Sequence, residues 1–224
     1  MDTFLAIASK RDQREYADRE IPEEVVRRIL EAGRIAGSAS NRQPWRFIAL
    51  ESAEARAQVA ATVYTPPNIL GSKLAVAIVV QGNRGFDAGR AAQNMMLAAW
   101  NDGVTSCPNG MPDAGKAGEV LGLGEGEHVL NVISFGYPAR ERNPEERPVE
   151  EWLSRAKRKP FDELVERRLT IAQESPGLRG RPSGSFRILL KAYGAEAVCR
   201  FAEARSRIMV STLSRRITRN EARS

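Results

Sequence analysis

A run of seven apolar residues at positions 74–80 constrains the fold of this chain more than any other feature. The run reads LAVAIVV, with four β-branched residues and no polar side chain. Successive side chains of a strand point to opposite faces, so this run predicts a strand covered on both faces. Residues 128–135 are also rich in apolar side chains and predict a second central strand. Together with the helical segments around them, these strands predict an α+β fold with helices on both faces of a central sheet.

The rest of the pattern supplies the other elements. The spacing of apolar residues predicts helices at 2–9, 21–36, 52–63, 87–101, 149–157 and 161–168, and a strand at 46–50. In the first helix we expect Phe4, Leu5 and Ile7 to be buried. Residues 64–72 contain two prolines and a glycine and predict a loop. Helix 87–101 is expected to be too apolar all round to face water, which predicts that a partner helix covers it.

Charge divides the chain in two. Residues 169–224 hold 11 Lys and Arg against 4 Asp and Glu, whereas residues 1–168 hold 23 against 24. The nearly neutral body argues against a nucleic-acid or membrane surface there. We therefore expect one domain at 1–168, followed by a basic, partly disordered extension at 169–224. Within the extension, the composition predicts a linker at 174–185 and an amphipathic helix at 186–205.

Several classes of site are disfavoured by the composition. The two cysteines, Cys107 and Cys199, exclude a disulfide framework, and we expect a cytoplasmic protein without a secretory signal or membrane span. His128 is the only histidine, which argues against a metal centre or a Ser-His-Asp triad. Cys107 is expected to be a buried small side chain. Gly122, Gly124 and Gly126 precede a strand, so they predict a turn and not a dinucleotide loop.

Four segments carry groups suited to binding chemistry. They are the cationic stretch 10–16, the small and amide-rich stretch 37–47, the helix and turn at 89–107, and a second cationic stretch at 157–161. Clustered cations hold phosphate by charge-assisted hydrogen bonds. Asn41 and Gln43 each offer a donor and an acceptor, which suits the edge of a flavin pyrimidine ring. Taken singly, each segment also fits a solvated face, a turn before a strand, or a core helix.

The order and spacing of the four segments resemble the nitroreductase family over about residues 3–168. The most specific match is Asn41-Arg42-Gln43-Pro44-Trp45, within the stretch from Ser38 to Phe47. Supporting matches are the basic and aromatic signature of Lys10, Arg14 and Tyr16, the helical stretch 93–99, the Gly-Tyr-Pro at 136–138, and the stretch 158–164.

The resemblance implies a nitroreductase-like α+β fold with a central, mainly antiparallel sheet flanked by helices, an intertwined homodimer, and FMN bound at the subunit interface. It implies that the FMN phosphate is held by Lys10, Arg11 and Arg14 with Lys157 and Lys159, and that the partner subunit lines the isoalloxazine with Gly37, Ser38, Ala39 and Asn41. Two positions depart from the family pattern. Asp12 stands at the phosphate-binding position that usually holds Ser, and Gly37 stands where Pro is common.

The expected function is hydride transfer from NAD(P)H through FMN to a small-molecule acceptor such as a nitroaromatic or a quinone. The flavin carries this chemistry, so no side chain is expected to act as a general acid. Two alternatives remain open at this point. One is another flavin enzyme on the same scaffold, namely a dehalogenase, a flavin-fragmenting enzyme or an enone reductase. The other is a non-catalytic protein with a polyanion-binding tail.

Overall fold

The computed structural model describes residues 1–167. The chain divides into two units; the first is Met1–Lys159, and in the second, which begins at Pro160, residues 160–167 are described. The helices are α1 (Thr3–Ser9), α2 (Glu23–Arg34), α3 (Ala53–Ala60), α4 (Pro66–Leu70), α5 (Gly85–Asn101), α6 (Ala114–Val120), α7 (Val149–Arg155) and α8 (Phe161–Leu164). The strands are β1 (Trp45–Leu50), β2 (Leu74–Gln81), β3 (Thr105–Asn109) and β4 (Glu127–Gly136).

The four strands form one sheet in the order β1-β2-β4-β3, and every neighbouring pair is antiparallel. Trp45 pairs with Val80 and Leu74 pairs with Phe135, so the two central strands are β2 and β4. The register of β2 against β4 shifts between Ile78 and Val79. The predicted α+β class, the antiparallel sheet and both central strands are confirmed.

Burial along β2 follows its apolar run, because every residue from Leu74 to Val80 is buried and only Gln81 is exposed. Val76 and Ile78 point to one face and pack in a core that includes residues of α2 and α5. Ala75 and Ala77 point to the other face and pack in a second core with residues of α3 and α4. The alternation of side chains therefore builds two hydrophobic cores, one on each side of the sheet.

The predicted burial of the first helix is partly wrong. Phe4 and Ile7 are 55% and 51% exposed, Leu5 is half-buried, and the buried residues of α1 are Ala6, Ala8 and Ser9. The small side chains let α1 approach α5 closely, where the Trp100 Nε1–H donates to Ser9 Oγ at 2.9 Å. Hydrophobicity alone predicted that Phe4 and Ile7 are buried. The close packing of α1 against its neighbours instead buries the small side chains of the helix.

Three elements differ from the predicted pattern. The stretch predicted as a loop at 64–72 contains α4, which begins at two consecutive prolines because proline suits the first helical turn. Strand β3 was not predicted, since it contains Pro108 and lies at an edge of the sheet, where proline is tolerated. Helix α6 was also missed. It holds two glycines, and the Asp113 carboxylate caps its first turn by accepting from Gly115 N and Lys116 N.

The long helix α5 is not apolar all round, so that prediction is wrong. Ala88, Ala91, Met95 and Ala99 are buried. The outward face exposes polar side chains together with one aromatic ring, in Phe86, Arg90, Gln93 and Asn94. The apolarity of α5 therefore does not by itself require a partner helix. Among residues 1–167, no helix is long and apolar enough to cross a membrane.

The predicted linker at 174–185, the predicted helix at 186–205 and Cys199 lie outside the described residues. In the described part, the stretch 122–126 forms the predicted turn between α6 and β4, with positive φ at Gly122 and Gly126. His128 lies in β4 with an exposed side chain, as expected of a residue near the start of a strand.

Candidate functional site

The cationic stretch 10–16 runs in an extended conformation beside the edge strand β3. Gln13 N donates to Ser106 O at 3.2 Å, Ala139 N donates to Glu15 O at 3.2 Å, and Ala17 N donates to Tyr137 O at 2.8 Å. Because side chains alternate along an extended segment, neighbouring residues of 10–16 face opposite sides. Arg14 lines one cavity, whereas Gln13 and Glu15 line another.

The cavity beside Arg14, the Arg14 pocket, has a volume of about 330 Å³. It lies between the stretch 10–16, the residues that lead into α4, and the end of β3. Its wall is formed by one cation, one aromatic ring, two amides and small backbone-rich residues, namely Arg14, Tyr64, Thr65, Asn68, Pro108, Asn109 and Gly110. Of these residues, only Arg14 was predicted from the sequence to belong to the site.

The wall of the Arg14 pocket contains a buried hydrogen-bond network. Asn68 Nδ2 donates to Asn109 Oδ1 at 2.9 Å, and Asn109 Nδ2 donates to Cys107 O and Val132 O at 2.9 and 3.1 Å. Ser134 Oγ lies 2.7 Å from Tyr16 Oη and 3.1 Å from Asn109 Nδ2. Leaving one such buried polar group without a partner costs about 1–3 kcal/mol, so the network holds the two amides in place.

Tyr16 connects this network to the stretch 10–16. A Cβ on Gly136 would lie 2.7 Å from Tyr16 Cδ1, so the ring of Tyr16 packs directly on the glycine backbone. Burial raises the pKa of the Tyr16 phenol well above its ordinary value, although the hydrogen bond with Ser134 opposes the rise. Tyr16 is therefore a neutral hydrogen-bonding anchor for the stretch that presents Arg14.

Cys107 is buried behind the same pocket, with 2% of its surface exposed. Burial raises the pKa of its thiol, and a hydrogen bond with Arg14 opposes that rise. The side chain therefore remains a thiol at neutral pH, and its prediction as a buried small residue is confirmed. The contact with Arg14 was not predicted from the sequence.

Lys10 and Asp12 form an ion pair within the stretch 10–16. The Lys10 side chain is only 10% exposed, and its Nζ lies 3.4 Å from Met96 Sδ on α5. The Asp12 carboxylate therefore orients the Lys10 ammonium and neutralises part of its charge. A phosphate that approaches Lys10 competes with this carboxylate.

Arg11 faces away from the Arg14 pocket and ties α1 to α7. Its Nη1 donates to Ala8 O and Lys10 O at 2.7 and 2.8 Å, and its Nη2 donates to Trp152 O at 3.1 Å. Burial lowers the pKa of Arg11, and the positive charges of Arg158 and Arg142 lower it further. Arg158 of the second cationic stretch therefore lies near Arg11 of the first. Lys157 and Lys159 follow α7 with exposed side chains.

The amide-rich loop 37–43 lies against the N-terminal part of α5. Ala39 N donates to Asp87 Oδ1 at 3.3 Å, and Gln43 N donates to Ser38 Oγ at 2.9 Å. Ser40, Asn41 and Gln43 have positive φ, at 53°, 53° and 49°. These contacts hold the loop in a strained conformation with the side chains of Asn41 and Gln43 exposed.

The structure gives a reason for Gly37. A Cβ at this position would lie 2.4 Å from Arg90 Nη2, so the guanidinium of Arg90 occupies the space of a side chain at 37. A larger residue at 37 would have to displace Arg90. Where the family pattern often has proline, glycine at position 37 therefore leaves the space that Arg90 of α5 occupies.

Helix α5 separates the predicted loop residues from Lys10. The loop contacts Asp87 and packs on Arg90, whereas Lys10 contacts Met96 and Ser9 contacts Trp100. At a rise of 1.5 Å per residue, Met96 lies roughly 9–14 Å along the helix axis from Arg90 and Asp87. The structure therefore does not bring the loop 37–43 of one chain together with its own Lys10.

Comparison with known proteins identifies relatives of this fold. The model of the nitroreductase family matches residues 7–78 and 84–137. A protein of Methanothermobacter thermautotrophicus, provisionally named NADH dehydrogenase/NAD(P)H nitroreductase, is 33% identical over 152 residues, which cover 62% of this chain and 78% of the relative. One of Archaeoglobus fulgidus with the same provisional name is 33% identical over 156 residues, covering 61% of this chain and 86% of the relative.

Solved structures agree with these sequence relatives. A nitroreductase family protein of Clostridium difficile has the same fold, with a TM-score of 0.64 at 22% identity over 74% of this chain and 98% of the other. A provisionally named nitroreductase of Desulfovibrio desulfuricans, solved in complex with FMN, gives a TM-score of 0.59 at 30% identity over 72% of this chain and 99% of the other. Because the family model matches more than half of the residues and the sheet and helices agree, the chain belongs to the nitroreductase family.

Proposed function

We propose that this protein is an FMN-dependent oxidoreductase that transfers hydride from NAD(P)H to a small-molecule acceptor such as a nitroaromatic or a quinone. The observation that carries the proposal is the Arg14 pocket, where a guanidinium and two fixed amides line a cavity beside the cationic stretch 10–16. Family membership supports the same reaction class. The relative of Desulfovibrio desulfuricans solved with FMN supports the choice of cofactor.

The residues of the Arg14 pocket fit the ring of FMN. The pocket offers the amide of Asn68, a guanidinium, and backbone at Pro108 and Gly110 that carries little side chain. A Cβ on Gly110 would lie 3.3 Å from the Tyr64 ring, so glycine leaves the pocket wall without a side chain beside this ring. Polar groups at the edge of a flat, backbone-lined wall are what a planar heteroaromatic ring requires.

The phosphate of FMN is proposed to bind beside the cationic stretch 10–16, with the residues that the family resemblance implies. Lys10, Arg14, Lys157 and Lys159 supply the positive charge, and Asp12 opposes it by pairing with Lys10. Arg11 donates three hydrogen bonds to backbone carbonyls, so its first role is to hold α7, and thereby the start of stretch 157–161, against α1. A direct contact of Arg11 with the phosphate remains a prediction.

The site is proposed to be completed by a second copy of this chain in a homodimer. The loop residues Gly37, Ser38, Ala39, Asn41 and Gln43 lie beside the N-terminal part of α5, whereas Lys10 contacts Met96 further along this helix. They therefore suit a ring bound by the partner better than one bound by their own chain. Exposed Phe4 and Ile7 on α1 and exposed Phe86 on α5 are apolar groups that such a partner would cover.

When bound, FMN supplies the hydride chemistry, accepting a hydride from the nicotinamide and returning electrons to the acceptor. The chain's own residues position the ring and exclude competing chemistry. Cys107 stays protonated and buried, so it does not act as a nucleophile. Tyr64 lines the Arg14 pocket and is 71% exposed, and we propose that it limits what enters. Both substrates use this one opening in turn, which predicts ping-pong kinetics.

A cytoplasmic location and a domain boundary near residue 168 complete the proposal. Every residue proposed to contact FMN lies in residues 1–159. The basic extension at 169–224 is accordingly proposed to be unnecessary for the flavin chemistry.

The proposal is tested by anaerobic reduction of the protein-bound flavin. Addition of NADH or NADPH is expected to bleach the flavin absorbance, and addition of a quinone or a nitroaromatic is expected to restore it. Arg14→Ala should weaken flavin retention, whereas Arg34→Ala should not, because Arg34 is exposed and its ion pair within residues 1–167 is with Glu31. A flavin that neither nicotinamide reduces would contradict the proposed function and favour another reaction on the same scaffold.

A further inference from the structure

Asn68 and Asn109 face each other in the wall of the Arg14 pocket. Asn68 Nδ2 donates to Asn109 Oδ1 at 2.9 Å, and the two residues are only 6% and 3% exposed. A side-chain amide carries an acceptor on one side and donors on the other. If the fold fixes the orientation of one amide of the pair, the hydrogen bond between them fixes the orientation of the other. This in turn decides whether an oxygen or an N–H group faces the pocket.

Asn109 is the amide that the fold holds. Its Nδ2 donates to Cys107 O on β3 at 2.9 Å and to Val132 O on β4 at 3.1 Å. Turning this amide around would place Oδ1 against the two carbonyl oxygens, and neither of them has a proton to donate. The backbone of the two strands therefore fixes Asn109 with its oxygen towards Asn68.

Ser134 reinforces the same orientation. Its Oγ lies 3.2 Å from Cys107 O, 2.7 Å from Tyr16 Oη and 3.1 Å from Asn109 Nδ2. Whether the hydroxyl proton of Ser134 goes to Cys107 O or to Tyr16 Oη, its oxygen accepts from Asn109 Nδ2. Three oxygen acceptors thus surround Asn109 Nδ2.

Asn68 must then present its Nδ2 to Asn109, which turns its oxygen to the other side of the amide. No group within residues 1–167 donates to Asn68 Oδ1, and Asn68 lines the Arg14 pocket. We propose that Asn109 is a positioning residue that fixes the Asn68 amide with its carbonyl oxygen available to the pocket. The pocket then selects a planar ring that presents an N–H there, and it disfavours the ring when that nitrogen is deprotonated or alkylated.

This inference rests on the proposed function, which supplies the ring. The pyrimidine edge of oxidised isoalloxazine has two carbonyl oxygens and one N–H, at N3. An acceptor fixed at Asn68 Oδ1 pairs with that N–H and repels the negative charge that appears at N3 when it loses its proton. The position of the Asn109 amide therefore sets a property of the bound ring that can be measured without turnover.

The first test is an absorbance titration of N3 in the FMN-loaded protein. The pKa of the bound N3–H is expected to lie above that of free FMN in the wild type. In Asn109→Ala the Asn68 amide is released and turns its N–H towards the deprotonated nitrogen, so the pKa should fall by about one unit, a tenfold change in the proton affinity. Asn101→Ala, an exposed amide at the end of α5, should leave the pKa unchanged. Equal pKa values in the wild type and Asn109→Ala would overturn the positioning role.

The second test needs only the wild type and one pocket variant. Apoprotein is titrated with FMN and with 3-methyl-FMN, which lacks the N–H, and binding is followed by flavin fluorescence. The wild type should bind 3-methyl-FMN at least about tenfold more weakly than FMN, and Asn68→Leu should lose most of that preference. Equal binding of the two flavins by the wild type would overturn the inference alone. Failure to bind either flavin would overturn the proposed function with it.

Discussion

The ammonium of Lys10 is paired with the carboxylate of Asp12, two residues further along the same extended segment. In the family pattern that second position usually holds serine, which donates to a phosphate where aspartate repels it. The pair orients Lys10, and we expect it to weaken the phosphate site proposed for Lys10. This relationship leads directly to a prediction about cofactor affinity.

Asp12→Ser should tighten FMN binding. Removing the carboxylate frees Lys10 for the phosphate and removes a like charge. We expect a gain of about 1.5–3 kcal/mol in binding free energy, on the scale of one hydrogen bond to a charged group. Titration of apoprotein with FMN measures the change. Asp18→Ser is the control, because Asp18 is exposed and pairs with Lys73 away from the stretch 10–16. Weaker binding by Asp12→Ser would mean that the orientation of Lys10 matters more than the repulsion.

Arg14→Ala should weaken FMN binding by roughly 1.5–3 kcal/mol, the usual contribution of a hydrogen bond to a charged group. Lys10→Ala should act in the same direction. The same titration measures both, with Arg34→Ala as the control arginine. Unchanged affinity in both Arg14→Ala and Lys10→Ala would reduce the stretch 10–16 to a solvated cationic face.

The ion pair of Arg46 with Glu127 should make stability depend on pH in acid. Arg46 Nε donates to Glu127 Oε1 at 2.7 Å, and this contact, followed by the hydrogen bond from Gly124 N, lowers the pKa of Glu127 from 4.5 to about 2. A lowered carboxylate pKa stabilises the fold above the unfolded pKa, and the contribution is lost as the pH falls towards about 2.

Chemical denaturation of the wild type and of Glu127→Gln tests this dependence. The wild type should be the more stable protein near neutral pH, and the difference should shrink as the pH falls from 4.5 to about 2. The ion pair is partly exposed to solvent, so we expect a small difference that salt reduces. A difference that grows as the pH falls would contradict the assignment.

A chain cut after Arg168 should keep FMN and oxidise NAD(P)H. The proposed cofactor contacts lie in residues 1–159, and the family model matches no residue beyond 137. Flavin content, sedimentation and NAD(P)H oxidation of the truncated and full-length proteins measure this. Loss of the dimer or of the flavin on truncation would show that residues 169–224 complete the site, and that the predicted boundary is wrong.

The sequence predicted the layout of the fold because the strongest signals are local. The apolar run 74–80 is long, contains no polar residue and forms the most buried strand. Strand β3 and helix α6 carry weak local signals, because Pro108 interrupts one and two glycines dilute the other. Their structure depends on neighbours that are distant in sequence, which a local pattern does not record.

The candidate site shows the same limit. Arg14 was predicted from its place in a cationic stretch, whereas Asn68 and Asn109 lie 41 residues apart and meet only in the folded chain. In both Pro67-Asn68 and Pro108-Asn109-Gly110, an asparagine directly follows a proline. This pattern is common in turns, so it did not single out Asn68 and Asn109 as site residues. The exposure of Phe4 and Ile7 was missed because hydrophobicity does not say which apolar side chains the close packing of a helix leaves outside.

The cofactor content of the purified protein tests the central claim most directly. The protein is denatured, the released flavin is separated by chromatography, and its amount is compared with that of the chain. The proposed function predicts about one FMN per chain and no FAD, because two cationic stretches serve one terminal phosphate and no dinucleotide loop is present in residues 1–167. A colourless protein that takes up no FMN on reconstitution would contradict the account.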